Sequence, residues 1–310
     1  MKIVFMGTPE FAVPSLDILI QNGYDVVGVI TATDKRGGRG GKKLLESDVK
    51  KYAKEKGLHI MQPKNLKSPE FQEELRALKA DIQVVVAFRM LPEAVWNMPP
   101  LGTMNVHGSL LPQYRGAAPI NWAVVNGETT TGATSFFLKH EIDTGDLLFH
   151  AETHIDENET TGELYDRLKY VGADLLLKSI RAVEQGDYSL QMQDNSLVSH
   201  APKIFHQDCQ IDFSQTTKKV HDFIRGMSPF PAAWTTLDEQ KLKIFRTEKE
   251  LLAHNHPFGT VLTDGKKYLK IATADGFVNL LDVQLTKRKR MDIKSFLNGY
   301  QIQKFEVEKV

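Results

Sequence analysis

The residues with the clearest chemical potential lie in one segment, from Asn105 to Gly116, which reads N-V-H-G-S-L-L-P-Q-Y-R-G. The apolar run before it predicts the end of a strand, on which Asn105 and His107 would point to one face. An amide and an imidazole suit acyl transfer, because both can donate to the oxygen that becomes negative in a tetrahedral intermediate. The imidazole can also move a proton near neutral pH. The common alternative is a histidine that has only a structural role.

Such a histidine also needs a carboxylate to orient or tune it, and Asp143 is the best candidate. It lies in the polar turn H-E-I-D-T-G-D, between two apolar runs that predict strands. Asp-Thr-Gly by itself indicates only a turn. Because ligands bind at the carboxyl ends of strands in an open parallel sheet, we expect Asn105, His107 and Asp143 to meet at that edge.

The longer string N-x-H-x-S-L-L-P-x-x-R-G, with D-T-G-D after it, resembles the catalytic core of the folate-dependent formyltransferases. The resemblance implies that Asn105, His107 and Asp143 are the catalytic residues. It also implies that a reduced folate is held by the segment after the strand, formed by Ser109, Leu110, Leu111 and Pro112. Phe88 should border the same pocket. It keeps the aromatic ring of the family's A-Y-G pattern without the hydroxyl, and the turn that follows is shorter.

Composition places few limits on the function. The chain has 310 residues, of which 41% are hydrophobic and 25% charged, as is typical of a globular protein with two domains. Its apolar runs are too short for a transmembrane helix, and from the strand-like run at its start we expect no signal peptide. The single cysteine, Cys209, fits a reducing compartment, so we expect a cytoplasmic protein. HExxH, CxxC and clustered His/Asp spacings are absent from the sequence, so we expect no metal site. We also expect a monomer with no obligate protein partner.

The first half of the chain predicts an α/β fold. Lys2 to Met6, Pro9 to Gln21 and Asp25 to Ile30 read as strand, helix and strand, which is a βαβ unit. The β-branched run from Asp81 to Phe88 predicts a central strand buried on both faces. We expect a Rossmann-like, open and mostly parallel sheet over residues 1–186. The dinucleotide pattern G-x-G-x-x-G is absent after the first strand, so we exclude an NAD or FAD site.

A basic, glycine-rich loop follows the second strand and reads T-A-T-D-K-R-G-G-R-G-G-K-K-L-L from Thr31 to Leu45. Its glycines argue against a stable helix or strand, so it is either a solvated flexible loop or a segment that orders on phosphates. The methionyl-tRNA formyltransferases carry a similar insertion, which enters the acceptor arm of the tRNA, and small-molecule formyltransferases lack it. This resemblance implies four tRNA-binding residues in the loop, Arg36, Arg39, Lys42 and Lys43.

The second half of the chain differs from the first in its predicted secondary structure and in its charge. Residues 187–205 are polar and irregular and predict a linker. Residues 206–310 show short alternating strands that predict an OB-like β-barrel, at Lys241 to Phe245, Gly259 to Leu262, Tyr268 to Ala272 and Phe277 to Val283. Lys and Arg number 22 against 26 Asp and Glu up to Phe205, and 17 against 13 after it, which indicates that the second half meets an anion. The basic run of Lys287, Arg288, Lys289 and Arg290 is either a solvated turn or a contact with the tRNA backbone.

Together these resemblances imply a specific reaction. A formyl group would pass from 10-formyltetrahydrofolate to the α-amino group of methionine on initiator methionyl-tRNA, for translation initiation. The first alternative is a formyltransferase that acts on a small phosphorylated amine in purine synthesis. The basic loop and the second half argue against it, because a small substrate needs neither. The second alternative is a non-catalytic RNA-binding protein, which would not need the Asn105, His107 and Asp143 set.

Overall fold

The computed structural model describes residues 1–37 and 43–305 of the chain. They divide into two compact units. The first unit comprises Met1–Gly116, Thr131–Thr153 and Tyr165–His200. The second comprises Ala117–Thr130, His154–Leu164 and Ala201–Val310. None of the helices in the described ranges is both long enough and apolar enough to cross a membrane.

The first part of the chain alternates strands and helices. In order, the elements are β1 Lys2–Gly7, α1 Val13–Gln21, β2 Asp25–Ile30, β3 Lys35–Gly37, β4 Lys43–Leu45, α2 Asp48–Glu55, β5 Ile60–Met61, α3 Pro69–Ala77, β6 Ile82–Val86, α4 Glu93–Trp96, β7 Thr103–His107, β8 Arg115–Gly116, α5 Pro119–Val125, β9 Thr130–Phe137, β10 Leu147–His154 and α6 Thr161–Gln185. The later part is mainly β. Its elements are β11 His200–Ala201, α7 Thr217–Gly226, β12 Ala233–Leu237, β13 Gln240–Glu250, β14 Val261–Thr263, β15 Leu269–Ala272, β16 Phe277–Leu285, β17 Met291–Asp292 and α8 Ile293–Gly299.

The main sheet has seven strands in the order β10-β9-β7-β6-β1-β2-β5. The pairs β7–β6, β6–β1, β1–β2 and β2–β5 are parallel, and β9 joins β7 in the antiparallel sense. The prediction of a mostly parallel, Rossmann-like sheet is therefore confirmed. Every residue of β6 is buried, as expected for a central strand that is covered on both faces.

Side-chain caps set several of the helix starts. The hydroxyl oxygens of Ser47 and Ser68 accept hydrogen bonds from backbone N–H groups in the first turns of α2 and α3. At α6, Thr160 and Glu163 form a reciprocal capping box, in which each side chain accepts from the backbone N–H of the other. Capping depends on neighbours three residues away, so local sequence is enough to recognise helix starts of this kind.

The second unit contains a six-stranded antiparallel sheet in the order β12-β13-β16-β15-β14, with β17 paired to β16. Its inward-facing aliphatic side chains form one core with those of α7 and α8. Helix α7 approaches α5 so closely that a Cβ on Gly226 would lie 2.8 Å from the backbone nitrogen of Val125. A glycine is needed at that point of contact.

Several boundaries differ from those predicted. The helix expected from Pro9 begins with a 3₁₀ turn, Glu10–Ala12, and becomes α-helical only at Val13, where Pro14 fits the first turn. The long strand β13 extends well beyond the predicted Lys241 to Phe245, because its charged residues occupy the exposed face of an alternating pattern. Strand β12 was not among the predicted strands.

Candidate functional site

Strand β7 carries Asn105 and His107 to the carboxyl edge of the main sheet. Asn105 lies opposite Val85 of β6, and His107 is the last residue of β7, opposite Thr134 of β9. Because the two residues are two positions apart on a strand, their side chains share one face. His107 is buried, with 8% of its surface exposed, and Asn105 is only partly buried.

A backbone carbonyl holds the ring of His107. Nε2 lies 2.9 Å from the carbonyl oxygen of Tyr114. A carbonyl oxygen can only accept, so Nε2 carries the proton and donates. Tyr114 has a φ of +59°, a left-handed conformation, in the turn that brings its carbonyl back to the ring. The opposite nitrogen, Nδ1, is therefore the one left to act on a substrate.

The Asp143 carboxylate lies on the Nδ1 side of this ring. Oδ2 is 3.7 Å from Nδ1 of His107, too far for a direct hydrogen bond, and it accepts one from the backbone N–H of Gly116 at 3.0 Å. The side chain is buried, with 7% of the residue exposed. The turn is tight, since a Cβ on Gly145 would lie 1.7 Å from the carbonyl oxygen of Phe137. Glycine is thus required at that position of D-T-G-D.

The amide of Asn105 is uncommitted. Within residues 1–37 and 43–305, its side chain makes no hydrogen bond, whereas the other polar side chains of the site are held. A partly exposed amide with open donors on the same strand face as a buried imidazole is suited to binding a polar substrate atom. The structure thus brings His107 within 3.7 Å of Asp143 and places Asn105 on the same face of β7 as His107.

The segment expected to hold folate forms a fixed turn after β7. Ser109 is fully buried, and its hydroxyl donates to the carbonyl of Gln113 at 2.7 Å. Thr134 donates to the carbonyl of Ser109 and accepts from the N–H of Leu111, so this turn is tied to β9. Leu110 and Pro112 keep part of their apolar surface exposed, and the Leu111–Pro112 peptide bond is cis.

Phe88 lies in the loop after β6, the strand next to β7. Its ring is half-buried and packs on the core of the first unit. Ala87, immediately before it, has a φ of +48°, and the guanidinium of Arg89 donates to the carbonyl of Lys64 at 3.1 Å. Since β6 and β7 are parallel neighbours, Phe88 and the Ser109 to Pro112 turn leave the same edge of the sheet.

The sequence analysis missed two side chains that contact the site, Gln193 and Arg115. Gln193 lies in the segment interpreted as a linker, yet its amide donates to the carbonyls of Asp143 and Gly145, both at 2.8 Å. Arg115 donates to the side-chain oxygen of Gln193 at 2.6 Å. These contacts join positions about 50 and 78 residues apart, so no local pattern could have revealed them.

The ends of the basic loop form a short hairpin, contrary to the expectation of no strand. Arg36 pairs with Leu44, and Gly37 pairs with Lys43, between β3 and β4. The glycines are concentrated between these strands, so the flanking residues remain able to pair. Arg36 and Lys43 are both described, whereas Arg39 and Lys42 lie outside the described residues.

The base of this loop is held by Asp34. Its carboxylate accepts from the Gln62 amide at 2.9 Å and pairs with the Lys50 ammonium on α2. These two hydrogen bonds lower the pKa of the Asp34 carboxyl below its ordinary value. The start of the loop is therefore held in place by the contacts of the Asp34 carboxylate.

The second basic stretch lies in the exposed turn between β16 and β17, and its four residues differ in their contacts. Arg288 donates to the carbonyl of Gly299 at 2.9 Å, and Arg290 donates to Asp282 at 2.8 Å. Both arginines are thus engaged within the second unit. Lys287 and Lys289 are exposed and make no hydrogen bond or ion pair with any residue that the structure describes.

Comparisons with known proteins give consistent results. Residues 1–180 match the model of the family described as "Formyl transferase", and residues 203–301 match "Formyl transferase, C-terminal domain". The chain is 50% identical over 310 residues to a methionyl-tRNA formyltransferase of Parabacteroides distasonis, covering 97% of this chain and 96% of the relative. It is 52% identical over 311 residues to the protein of that name from Phocaeicola vulgatus, with the same coverage.

Among solved structures, an N-formyltransferase from Helicobacter canadensis, in complex with folinic acid and dTDP-3-aminofucose, has a similar fold. It is 22% identical, with a TM-score of 0.68 over 90% of this chain and 98% of that one. At this identity the similarity concerns the fold alone.

Proposed function

This chain belongs to the formyl transferase family, among the methionyl-tRNA formyltransferases, and on that premise we propose its reaction. It transfers the formyl group of 10-formyltetrahydrofolate to the α-amino group of methionine on initiator methionyl-tRNA. The observation that carries the proposal is the site at the edge of the main sheet. There the amide of Asn105, which makes no hydrogen bond to the described residues, accompanies His107 and Asp143, whose Nδ1 and Oδ2 atoms are 3.7 Å apart.

In this mechanism the nucleophile is the methionine amine. A model α-amino group titrates near ~7.7–8.0, so a useful fraction is neutral and able to attack at cellular pH. As its nitrogen bonds to the formyl carbon, the formyl oxygen becomes negative. The Asn105 amide donates to that oxygen. His107 donates to it from Nδ1 in the imidazolium form, with a proton on both ring nitrogens, because the Nε2–H group is already donated to the Tyr114 carbonyl.

The proton balance assigns a role to Asp143. The amine that has attacked carries an extra proton, and the Asp143 carboxylate accepts it. The bond between the formyl carbon and N10 of the folate then breaks, and N10 takes up a proton that Asp143 returns directly or through solvent. The separation of 3.7 Å between Nδ1 of His107 and Oδ2 of Asp143 supports this role, since the carboxylate makes no hydrogen bond to the ring and can accept a proton from the amine.

The formyl donor is proposed to bind across the ends of β6 and β7. Phe88, Leu110 and Pro112 keep apolar surface exposed at this edge, which suits a flat heteroaromatic ring. Leu111 and Ser109 are buried and would act by fixing the shape of the turn. The formyl group would then lie beside Asn105.

The tRNA is proposed to contact both basic stretches. In the loop, Arg36, Arg39, Lys42 and Lys43 would meet its phosphates. After β16, Lys287 and Lys289 are better placed than Arg288 and Arg290, whose guanidinium groups are already engaged. We propose that the antiparallel sheet of the second unit is an OB-like barrel serving this contact. We also propose the functional division 1–186, 187–205 and 206–310, and a cytoplasmic monomer.

The direct test is formyl transfer measured on alternative acceptors. Purified protein is given 10-formyltetrahydrofolate together with methionylated initiator tRNA, the same tRNA without methionine, or a small phosphorylated amine. We expect formylmethionine only with the first acceptor, recovered by mild alkaline release from the tRNA. Efficient formylation of the small amine, with none on the tRNA, would favour the purine-synthesis alternative instead.

A second test concerns the basic loop. Arg39→Ala should weaken tRNA binding and reduce the slope of log affinity against log salt by about 1, because one phosphate contact is lost. The measurement is the dissociation constant at several KCl concentrations. Arg76→Ala, which removes an exposed arginine of α3, is the matched control. An unchanged slope in the Arg39 variant would refute a phosphate contact at that position.

A further inference from the structure

The polar segment 191–199, here called the strap, runs along both turns that carry the site. At its start, Gln191 exchanges two backbone hydrogen bonds with Leu147, at 2.8 and 3.0 Å. Near its end, the Ser199 hydroxyl accepts from the N–H of Tyr114 at 2.9 Å, and the Ser199 carbonyl accepts from the N–H of Arg115 at 2.9 Å. The strap thus holds the residue whose carbonyl orients His107.

Gln193, in the middle of the strap, holds the other turn. Its amide nitrogen donates to the carbonyl oxygens of Asp143 and Gly145, each at 2.8 Å. Its side-chain oxygen accepts from Nε and Nη2 of Arg115, at 3.0 and 2.6 Å. Arginine can only donate, so the oxygen must face Arg115 and the NH₂ group must face the turn. The four contacts fix the orientation of this amide.

The turn at Asp143 needs such support. Asp143 has a φ of +55°, a left-handed conformation that is unfavourable for a residue with a side chain. Two donated hydrogen bonds, one to its own carbonyl and one to that of Gly145, hold the turn around this residue. The carboxylate is thereby fixed relative to the Gly116 N–H at 3.0 Å and to the His107 ring at 3.7 Å.

We propose that Gln193 is a positioning residue for catalysis, which acts by holding the Asp143 turn while Arg115 holds Gln193. This inference rests on the proposed function, in particular on the role of Asp143 in proton transfer. A misplacement of about 1 Å in a reacting group can cost about 100-fold in rate. We call the two hydrogen bonds from the Gln193 amide to the Asp143 turn the clamp. Loss of the clamp should therefore lower turnover and leave substrate binding largely unchanged.

The decisive variant is Gln193→Glu, which has nearly the same shape. Glutamate can still accept from Arg115, but it has no NH₂ group, so both donated bonds to the turn are lost. We expect kcat to fall roughly 10- to 100-fold, with KM for the folate and for the tRNA within about threefold of wild type. Gln193→Ala should show a similar fall, and an unchanged melting temperature will show that the fold persists.

Gln191→Ala is the matched control. It removes another strap glutamine, exposed and with no side-chain hydrogen bond to the described residues, while its backbone pairing remains. We expect its kcat to match wild type. Wild-type kcat in Gln193→Glu, or an equal loss in Gln191→Ala, would overturn the inference.

A double variant tests whether Gln193 acts through Asp143. If it does, adding Gln193→Ala to Asp143→Asn should lower kcat by no more than about threefold further, because coupled residues are not additive. A full multiplicative loss would show that Gln193 acts elsewhere and would refute the clamp. If Asp143→Asn alone keeps wild-type kcat, the proposed role of Asp143 fails, and the clamp fails with it. If Asp143→Asn is impaired but Gln193→Glu is not, only the clamp fails.

Discussion

Two buried histidines, one in each compact unit, stand next to acidic side chains and have opposite surroundings. In the first unit, Nδ1 of His107 lies 3.7 Å from Oδ2 of Asp143, too far for a hydrogen bond, and we call this pair and Asn105 the open region. In the second, His221 is 2% exposed, and Nδ1 lies 2.9 Å from the Thr247 hydroxyl. The neighbouring acid, Asp222, forms a 2.7 Å ion pair with Arg225, and we call this group of residues the closed region.

The comparison indicates that solvent access to a polar side chain distinguishes the candidate site better than residue type does. Both regions contain a side chain with unused hydrogen-bonding capacity among the described residues, the Asn105 amide in one and Nε2 of His221 in the other. The amide is partly exposed and can meet a substrate. The ring nitrogen is fully buried, and desolvation, with Lys249 nearby, lowers the pKa of His221 to about 4. We therefore interpret the first region as catalytic and the second as structural.

The largest effect is expected from breaking the closed region. Arg225 is 5% exposed and joins Asp222 to the carbonyl of Glu159, at 3.0 Å. Among the described residues, Arg225→Ala leaves the buried Asp222 carboxylate with only the exposed Lys218 ammonium, at 2.7 Å, and removes the donor to the Glu159 carbonyl. The free energy of unfolding should therefore fall by about 3–5 kcal/mol. Urea denaturation at pH 7, followed by circular dichroism, measures this loss.

Arg246→Ala is the control for this prediction. Arg246 pairs with Glu163 in the same unit, but both side chains are nearly half exposed. An exposed pair contributes about 1 kcal/mol or less. If the two variants lose similar stability, the distinction between a closed and an exposed pair would be wrong, and so would our interpretation of the second region as structural.

The open region should respond mainly in turnover. Asn105→Ala and His107→Ala each remove a proposed donor to the oxyanion, and we expect each to lower kcat by ~10²–10³-fold, or ~2.7–4 kcal/mol in activation free energy. The measurement is kcat for methionyl-tRNA at saturating folate, together with tRNA affinity, which should hold. Turnover within tenfold of wild type would contradict the assignment.

For Asn105 the contrast with Arg225 can be made sharper. Its side chain makes no hydrogen bond within the described residues, so Asn105→Ala should change the free energy of unfolding by less than about 1 kcal/mol. A large stability loss in this variant would mean that the amide has a structural role. The comparison of the two regions would then fail at its central residue.

Local signals explain which parts of this fold were predictable. The strands β1, β2 and β6 are continuous apolar runs, and Ser47, Ser68 and Thr160 cap helices through neighbours three residues away. Such features depend on residues that are close together in the sequence. Asn105 and His107 were selected as candidates in the same way, from their spacing on a strand.

The remaining features depend on contacts that the sequence does not display. The orienting partner of His107 is a backbone carbonyl, that of Tyr114, and any residue could supply one. Gln193 reaches the Asp143 turn from 50 positions away, and a polar stretch without periodicity reads as a linker. Long-range hydrogen bonds of this kind become visible only once the fold brings the segments together.

A smaller effect than those of Arg225→Ala and His107→Ala concerns pH, and it tests whether His221 is buried away from solvent. The unfolded chain binds a proton at His221 near pH 6.5, whereas the folded protein does so only near pH 4. Between these values the unfolded state holds more protons, so stability falls as the pH is lowered from 6.5 towards 4. From pH 7 to pH 5 this group should remove roughly 2 kcal/mol of unfolding free energy. Urea denaturation at the two pH values measures it.

His221→Gln isolates this contribution, because glutamine does not titrate and can still bond to Thr247. The other charged groups around the ring, Lys249, Asp222 and Arg225, remain in both proteins, so the difference between their pH slopes belongs to His221. The variant should lose about 2 kcal/mol less than wild type from pH 7 to pH 5, and the two should change in parallel from pH 8 to pH 7. Equal losses from pH 7 to pH 5 would show that the folded ring takes up its proton as readily as the unfolded one. The ring of His221 would then be accessible to protons from solvent, and the contrast between the two regions would fail.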